Sequence, residues 1–442
     1  MASDLLSIGR SGTQAARIAL DVTAQNIANA SSDGYIRRSV RLEEVSASGG
    51  LARTGDVSLS GVRLDRVVRN ADLFRQAEVR RTGADAARST AEVAGLENTE
   101  AALEQSGVYD AIVKFEGALQ QLASDPVDTS LRASVVETAR TMTRTFNIAA
   151  SSLDAVGEGL RFESTDGVNQ VNLLSGELAR VNLRLARAAD ASSDQTTLLD
   201  QRDSLLQQLS GYVDVAATFN ADQTVSVKVG GGDLVTGGSS YALAMSAAGD
   251  GTISFTLDGN PVTPTSGALA GKAQALTKLA DVRSTLDDLA GDVMTAVNTA
   301  QGNGVSLDGS AGTPMLSGLG AADMALAFED GTLLATAPAG VGANSRDATN
   351  LTALRNALAT ADPAGKMDSL LFDVSSTVAG RTITRDALTS IASSAKVALA
   401  TQAGVDLDNE AVNLVRYQQA FQASGRVMQV ATDIFDTLLN IR

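Results

Sequence analysis

The chain contains no cysteine, no histidine and no tryptophan, and aromatic residues make up only 3% of it. Each absence removes a class of chemistry. Without cysteine there is no disulfide framework and no thiolate nucleophile, and cysteine usage leaves the redox compartment open. Without histidine the usual general base at neutral pH and the imidazole metal ligand are missing, and a Ser-His-Asp triad is impossible. Scarce aromatics disfavour a stacking platform for bases or sugars. Basic residues are outnumbered 51 to 35, a formal net charge of −16 with no long basic run to offset it. This argues against nucleic acid or an anionic membrane as the main partner. No segment reaches the roughly 18 consecutive apolar residues of a membrane span. The first 30 residues lack a basic stretch followed by an apolar run of about 7 to 15, so no cleaved secretory signal is expected. No cofactor and no metal site are expected.

What is present is helix at both ends. In residues 405–442, Leu407, Leu414, Phe421, Met428 and Phe435 recur every seventh position, with Ala411, Leu438 and Leu439 widening the stripe. That is the pattern of a long helix with one seam that needs a partner. Residues 4 to about 30 read as a second helix, in which Leu5, Ile8, Gly12, Ala15, Ala19 and Val22 alternate spacings of three and four. Its small side chains would let a partner helix approach closely, and Asn26 and Asn29 extend the seam with polar groups that fix register. The helix is expected to stop before Gly34-Tyr35, Gly34 suiting a left-handed turn.

Between the ends, residues 37–69 read as extended segments broken by glycines, and helix runs in several pieces from about 72 to 210, interrupted at Asp125-Pro126. Residues 212–266 alternate Val213, Val215, Val225, Val227 and Val229 with polar residues, a small β-rich insertion. Helix returns at 267–300, residues 302–345 read as loops with short strands, and helix dominates from 347 onward. The expected fold class is α+β, mainly α, with the terminal helices paired as a coiled-coil-like axial domain and β-rich material projecting outward from mid-chain. Four consecutive stretches follow: 1–70, an axial helix and extended segment; 71–211, a helical inner domain; 212–345, the β-rich outward domain with an internal helix; and 346–442, helices returning to the axis.

Several catalytic signatures fail on inspection. Ser393-Ser394-Ala395-Lys396 matches Ser-x-x-Lys, but its companion motifs are missing and it lies in a helical run. Gly267 to Lys272 is one residue short of a phosphate-binding loop and lacks the following hydroxyl. The acidic cluster Asp406 to Glu410 suits a helix N-terminus, where negative charge is favoured.

Three stretches carry a resemblance. Asn26-Ile27-Ala28-Asn29 followed by Gly34-Tyr35 resembles the N-terminal signature shared by bacterial flagellar rod, hook and hook-associated proteins. Leu198-Leu-Asp-Gln-Arg-Asp-Ser-Leu-Leu-Gln-Gln-Leu-Ser210 is similar to a mid-chain motif of the flagellar hook-associated protein 1 family. Gly404 to Ala411, Leu414 to Arg426 and Ile434 to Leu439 resemble that family's C-terminus. Asp33, Asp406 and Gly425 depart from the family's usual Pro, Ser and Ala, and residues 236–345 match no family motif.

The resemblance implies a structural, non-enzymatic subunit of the flagellum that joins hook to filament by helical assembly of its terminal helices. Its implied partners are further copies of itself, the hook protein, the next hook-associated protein on the filament side, and an export chaperone at the C-terminal helix, with neither nucleic acid nor membrane. It implies an extracellular place, at the hook-filament junction, reached through the flagellar type III channel. The candidate assembly interface comprises Leu5, Ile8, Ala15, Ala19, Val22, Asn26, Asn29, Gly34 and Tyr35 at one end, and Leu407, Leu414, Phe421, Met428, Phe435 and Leu438 at the other. Two alternatives remain: a hook or rod subunit, or a cell-wall hydrolase working through paired carboxylates.

Overall fold

A computed structural model describes residues 2–32, 34–46, 59–188 and 193–439. In chain order it contains α1 (Ala2–Ala28), the strands β1 (Arg38–Ser46) and β2 (Leu59–Arg69), then α2 (Leu73–Ser106), α3 (Val108–Leu122), α4 (Thr129–Leu185) and α5 (Ser193–Tyr212). Seven strands follow: β3 (Ala216–Phe219), β4 (Val225–Val229), β5 (Gly232–Thr236), β6 (Ser239–Ser240), β7 (Leu243–Ala247), β8 (Ile253–Leu257) and β9 (Asn260–Val262). After α6 (Ala268–Asn303) come β10 (Gly304–Val305), β11 (Leu316–Ser317), β12 (Ala325–Leu326) and β13 (Ala337–Pro338), and the chain closes with α7 (Thr349–Ala361), α8 (Pro363–Ala403) and α9 (Leu407–Leu439). The α+β, mainly α class and the long terminal helices are as expected.

Side-chain caps set several helix starts. Asp72 accepts from Phe74 N and Arg75 N at α2, Asp128 from Leu131 N at α4, and Asp406 from Asp408 N and Asn409 N at α9. Such caps satisfy amide donors that have no partner inside the helix. The break expected at Asp125-Pro126 separates α3 from α4. A second break comes at Gly107, whose φ of 72° lies in the left-handed region that costs glycine nothing.

The chain forms two compact units, each gathered from separated stretches: Met1–Ala84, Val171–Ala242 and Thr389–Arg442 in the first, Asp85–Gln170 and Leu243–Leu388 in the second. These do not coincide with the four consecutive stretches expected from the sequence. In particular, residues 212–345 are not one outward domain. Strands β3 to β6 form a four-stranded antiparallel sheet of the first unit, whereas β7 to β9 form a three-stranded sheet of the second. The reason lies in side-chain staples. Asn182 of α4 donates to Val225 O (2.8 Å) and Gly237 O (2.7 Å) and accepts from Val225 N (3.0 Å), fastening β4 and the β5–β6 turn to the first unit. Arg161 instead reaches Gly251 O, beside β8, within the second.

The second unit holds one continuous apolar core. Leu276, Leu279, Leu286, Leu289, Val293 and Val297 line one face of α6 at spacings of three, four and seven and pack with Leu96, Phe115, Phe146, Leu153 and Leu354. Gly271 lets α6 lie against α2, because a Cβ there would stand 2.0 Å from Arg88 O. The glycine that failed as part of a phosphate loop is therefore a packing glycine. Residues 302–345 are pinned by helix side chains: buried Arg132 donates to Gly331 O, Leu334 O and Thr336 Oγ1, and Asn298 bridges Met315 N, Leu316 N and Leu316 O.

Candidate functional site

The terminal helices α1 and α9 lie side by side in the first unit, with α1 also covered by the antiparallel β1–β2 hairpin. A Cβ on Gly9 would meet Met428 Cγ at 2.6 Å, and one on Gly12 would meet Ser424 Oγ at 2.7 Å. The residue number rises along α1 as it falls along α9, so the pair is antiparallel. Ala15, Ala19 and Val22 are buried on α1 as the small-residue seam requires, and Ile8 is half-buried. Leu5 is 37% exposed.

The seam on α9 is only partly covered. Leu414 and Met428 are half-buried, while Phe421, Phe435 and Leu407 are 39%, 55% and 54% exposed. The side chain of Leu438 lies outside the described residues. The positions that α9 does bury are Glu410 and Ala431, with Ser424 half-buried, small or polar residues that an apolar periodicity does not flag. Ser424 stands opposite Gly9 and Gly12, which no pattern within α9 alone discloses. A further apolar row, Val412, Val415, Val427, Val430 and Ile434, is exposed on α9. At 100° per residue it falls roughly opposite the row facing α1. The helix thus presents one face to its own chain and leaves a second apolar face uncovered.

At the other end of α1 sits a polar joint. Asn26 is buried, and its amide holds one peptide from both sides: Nδ2 donates to Arg38 O (2.8 Å) and Oδ1 accepts from Arg38 N (3.0 Å). Tyr35 donates its hydroxyl to the same Oδ1, and its ring lies under the Arg38 guanidinium. Desolvation by burial raises the Tyr35 pKa; the positive charge of Arg38 offsets this in part. Gly34 is exposed in a left-handed turn at φ 75°, and half-buried Asn29 donates back to Gln25 O. Asn26 is therefore committed within its own chain, a use that its position in the helical seam did not disclose. Asp33 lies outside the described residues.

The mid-chain motif supplies the rest of the joint. Arg38 pairs with Asp200 at 2.5 Å, Arg69 with Asp200 and Asp203 at 2.8 Å each, and Arg202 with Asp203 at 2.7 Å. Gln76 adds a hydrogen bond to Asp203, and Arg202 also donates to Gln223 O and stacks on Phe219. Burial by itself would raise the Asp203 pKa, but Arg202 and Arg69 outweigh it and hold the carboxyl below its ordinary value. Burial lowers the pKa of Arg202 and of Arg80, whose guanidinium lies 6.0 Å from the Phe219 ring centroid. The start of α9 joins through Arg37, which pairs with buried Glu410 at 2.6 Å, and through the Arg37 amide, which donates to Ala403 O. Arg38, Arg69 and Glu410 were not among the sequence candidates. Arg38 and Arg69 sit at strand ends and Glu410 in the first turn of α9, where a charged residue carries no periodic signal.

Nothing in this joint is arranged for bond-making chemistry: every carboxylate named is neutralised by a guanidinium. Ser393 and Lys396 are both exposed on α8, and Ser394 spends its hydroxyl on Ser390 O. Among the described residues no group of three or more acidic side chains could hold a metal ion, and no helix is long and apolar enough to cross a membrane.

Comparison with known proteins agrees with this architecture. The model of the flagellar hook-associated protein FlgK helical domain matches residues 93–316, the model of the flagellar basal body rod FlgEFG C-terminal segment matches 400–441, and the flagella basal body rod protein model matches 6–35. The flagellar hook-associated protein 1 of Bacillus subtilis is 25% identical over 495 residues, covering 98% of this chain and 97% of that protein. Its Escherichia coli counterpart is 25% identical over an alignment of 549 residues spanning all of both chains, so that relative carries segments this 442-residue chain does not. The structure of the flagellar hook junction protein FlgK from Burkholderia pseudomallei matches at 25% identity and a TM-score of 0.45, covering 54% of this chain and 46% of that one. With more than half of its length matched by the helical-domain model, flanked by rod-type segments at both ends, the chain belongs to the flagellar hook-associated protein FlgK family.

Proposed function

We propose that this chain is a non-enzymatic structural subunit that joins the flagellar hook to the filament, and that it does so by packing α9 against neighbouring copies. The observation that carries this reading is the uncovered apolar surface of α9, with Phe421, Phe435, Val412, Val430 and Ile434 all exposed beside a face already occupied by α1. Burying such side chains contributes roughly 1.5 to 3 kcal/mol each. An apolar surface distinct from the self-paired face forms heterologous contacts, which propagate around and along an assembly instead of closing as a dimer. The hook protein, the next hook-associated protein and an export chaperone at α9 are the partners this reading entails, and an extracellular position reached by export without a cleaved signal is the location it entails.

Replacing Phe421 and Phe435 with Asp tests it. The substituted side chains are exposed in the lone chain, so the variant should stay folded and be exported while filaments detach from hooks, scored by electron microscopy. Normal filament retention by that variant would overturn the proposal. The hydrolase alternative requires turnover of cell-wall substrate by the purified chain, and no observation here favours it.

A further inference from the structure

A cleft of about 640 Å³ opens in the first unit, beside the turn that follows α1. One wall is Tyr35 and its neighbours, and the other is formed by Arg180 and Arg184 of α4 with Ser204 and Leu205 of α5. Its charged lining is two acidic and two basic residues, Glu177, Asp200, Arg180 and Arg184. Arg180 pairs with Glu177, and Asp200 at the cleft edge is neutralised by Arg38 and Arg69. Arg184 is exposed and makes no ion pair or side-chain hydrogen bond among the described residues. In a chain of net charge −16, this is a place where an acidic group would be welcome.

The complementary feature lies at the far end of the same helix pair. The last described turns of α9 carry Asp433, Ile434, Phe435 and Asp436, all exposed, and neither aspartate is ion-paired among the described residues. The segment combines an aromatic side chain able to enter a cleft with flanking carboxylates able to meet Arg184. Its own cleft is out of reach. The register that sets Gly9 against Met428 and Gly12 against Ser424 places Asp436 beside the beginning of α1, whereas the cleft lies just past the end of α1 at Ala28. A helix of 27 residues puts about 40 Å between them.

We propose that the Asp433–Asp436 turn of one copy docks in the Tyr35–Arg184 cleft of the next, with Asp436 or Asp433 facing Arg184 and Phe435 packed toward Leu205. Complementary surfaces at opposite ends of one helix pair cannot meet within one chain and form a heterologous contact between copies. The occupant is a second copy because the chain itself carries the matching acidic, aromatic segment. This inference rests on the assembly reading given above and adds to it the contact that sets axial order.

The absence of native cysteine makes the test direct. Arg184→Cys and Asp436→Cys are introduced together, flagella bearing the variant are isolated and oxidised, and products are separated without reductant. The expected result is a ladder of dimers and higher multiples that collapses on reduction and is missing when either substitution is made alone. Monomer only, in flagella that retain their filaments, overturns the docking contact and leaves the assembly reading standing. Unaltered chain found elsewhere than between hook and filament by immunoelectron microscopy overturns both. Should the double cysteine variant fail to assemble, charge exchange decides: Arg184→Asp alone and Asp433→Arg with Asp436→Arg should each release filaments, and the combination should restore attachment to the parent level. No restoration overturns the contact.

Discussion

The two units are held by different forces. The second has a single apolar core in which Phe115, Phe146, Leu153 and Val293 are all but fully buried, fed by six helices, α2, α3, α4, α6, α7 and α8. The first buries a smaller apolar set, including Leu206, Leu209, Val213, Val225, Val227, Val229 and Val235, and adds to it close packing at glycine and alanine together with a network of arginines and aspartates. The difference is instructive because the first unit also keeps its largest apolar side chains on α9 uncovered. A unit that spent those side chains on its own core would have none left for neighbours. Binding its non-consecutive stretches by charge and by close backbone approach leaves the apolar surface available for assembly.

The sharpest way to test this contrast is to remove one anchor from each unit. Asp203→Ala strips the shared acceptor from Arg69, Arg202 and Gln76 and leaves buried Arg202 without its ion-pair partner, so it should destabilise the first unit by about 3 kcal/mol. Leu153→Ala creates a cavity in the second unit and should cost about 2 to 5 kcal/mol there. Hydrogen exchange resolved by segment would show each loss confined to its own unit. Loss of protection in α6 on Asp203→Ala would break the comparison.

Acid should separate the units next. The folded-state pKa of Asp203 is depressed, so its contribution is fully present above the ordinary aspartate value of about 3.9 and is lost as pH falls through the depressed value. Urea midpoints measured from pH 6 down to pH 2.5 should show the first unit weakening, and Asp203→Asn should flatten that unit's acid dependence while leaving the second unit's unchanged. An unchanged slope in the variant would assign the acid sensitivity to other carboxylates.

The smallest effect concerns Gly425. A Cβ added there meets nothing within 4 Å, so within one chain the glycine serves no packing purpose and lowers helix propensity. Gly425→Ala should stabilise the isolated chain by up to about 1 kcal/mol. If the same substitution impairs filament retention, the glycine marks a close approach by a neighbouring copy; unimpaired retention removes it from the assembly surface.

Much of this architecture was legible before the structure. Apolar periodicity located α1 and α9, valine alternation located β4, and the proline at 126 marked the α3–α4 break. Asp406, which departs from the family's usual Ser, turns out to be chemically equivalent, since its carboxylate caps α9 as a hydroxyl could. What escaped was the grouping. Nothing in a local pattern says that residues 212–242 belong with the termini while 243–266 belong with α6, because that depends on which helix supplies a staple such as Asn182. The ion pairs of Arg38 and Arg69 with Asp200 and Asp203 escaped for the same reason, joining positions more than a hundred residues apart.

The sequence by itself determined what the chain excludes and where its helices run. Missing residue types rule out chemistries, and side-chain periodicity follows from the helical repeat alone. Only the tertiary structure decided which row of α9 is covered. Gly9 and Gly12 admit Ser424 and Met428 closely, while Phe421 and Phe435, on the same seven-residue row as Met428, stay 39% and 55% exposed. A seven-residue repeat states that a seam exists, but the depth at which a partner approaches, set here by two glycines on another helix, settles how much of that seam one chain can bury.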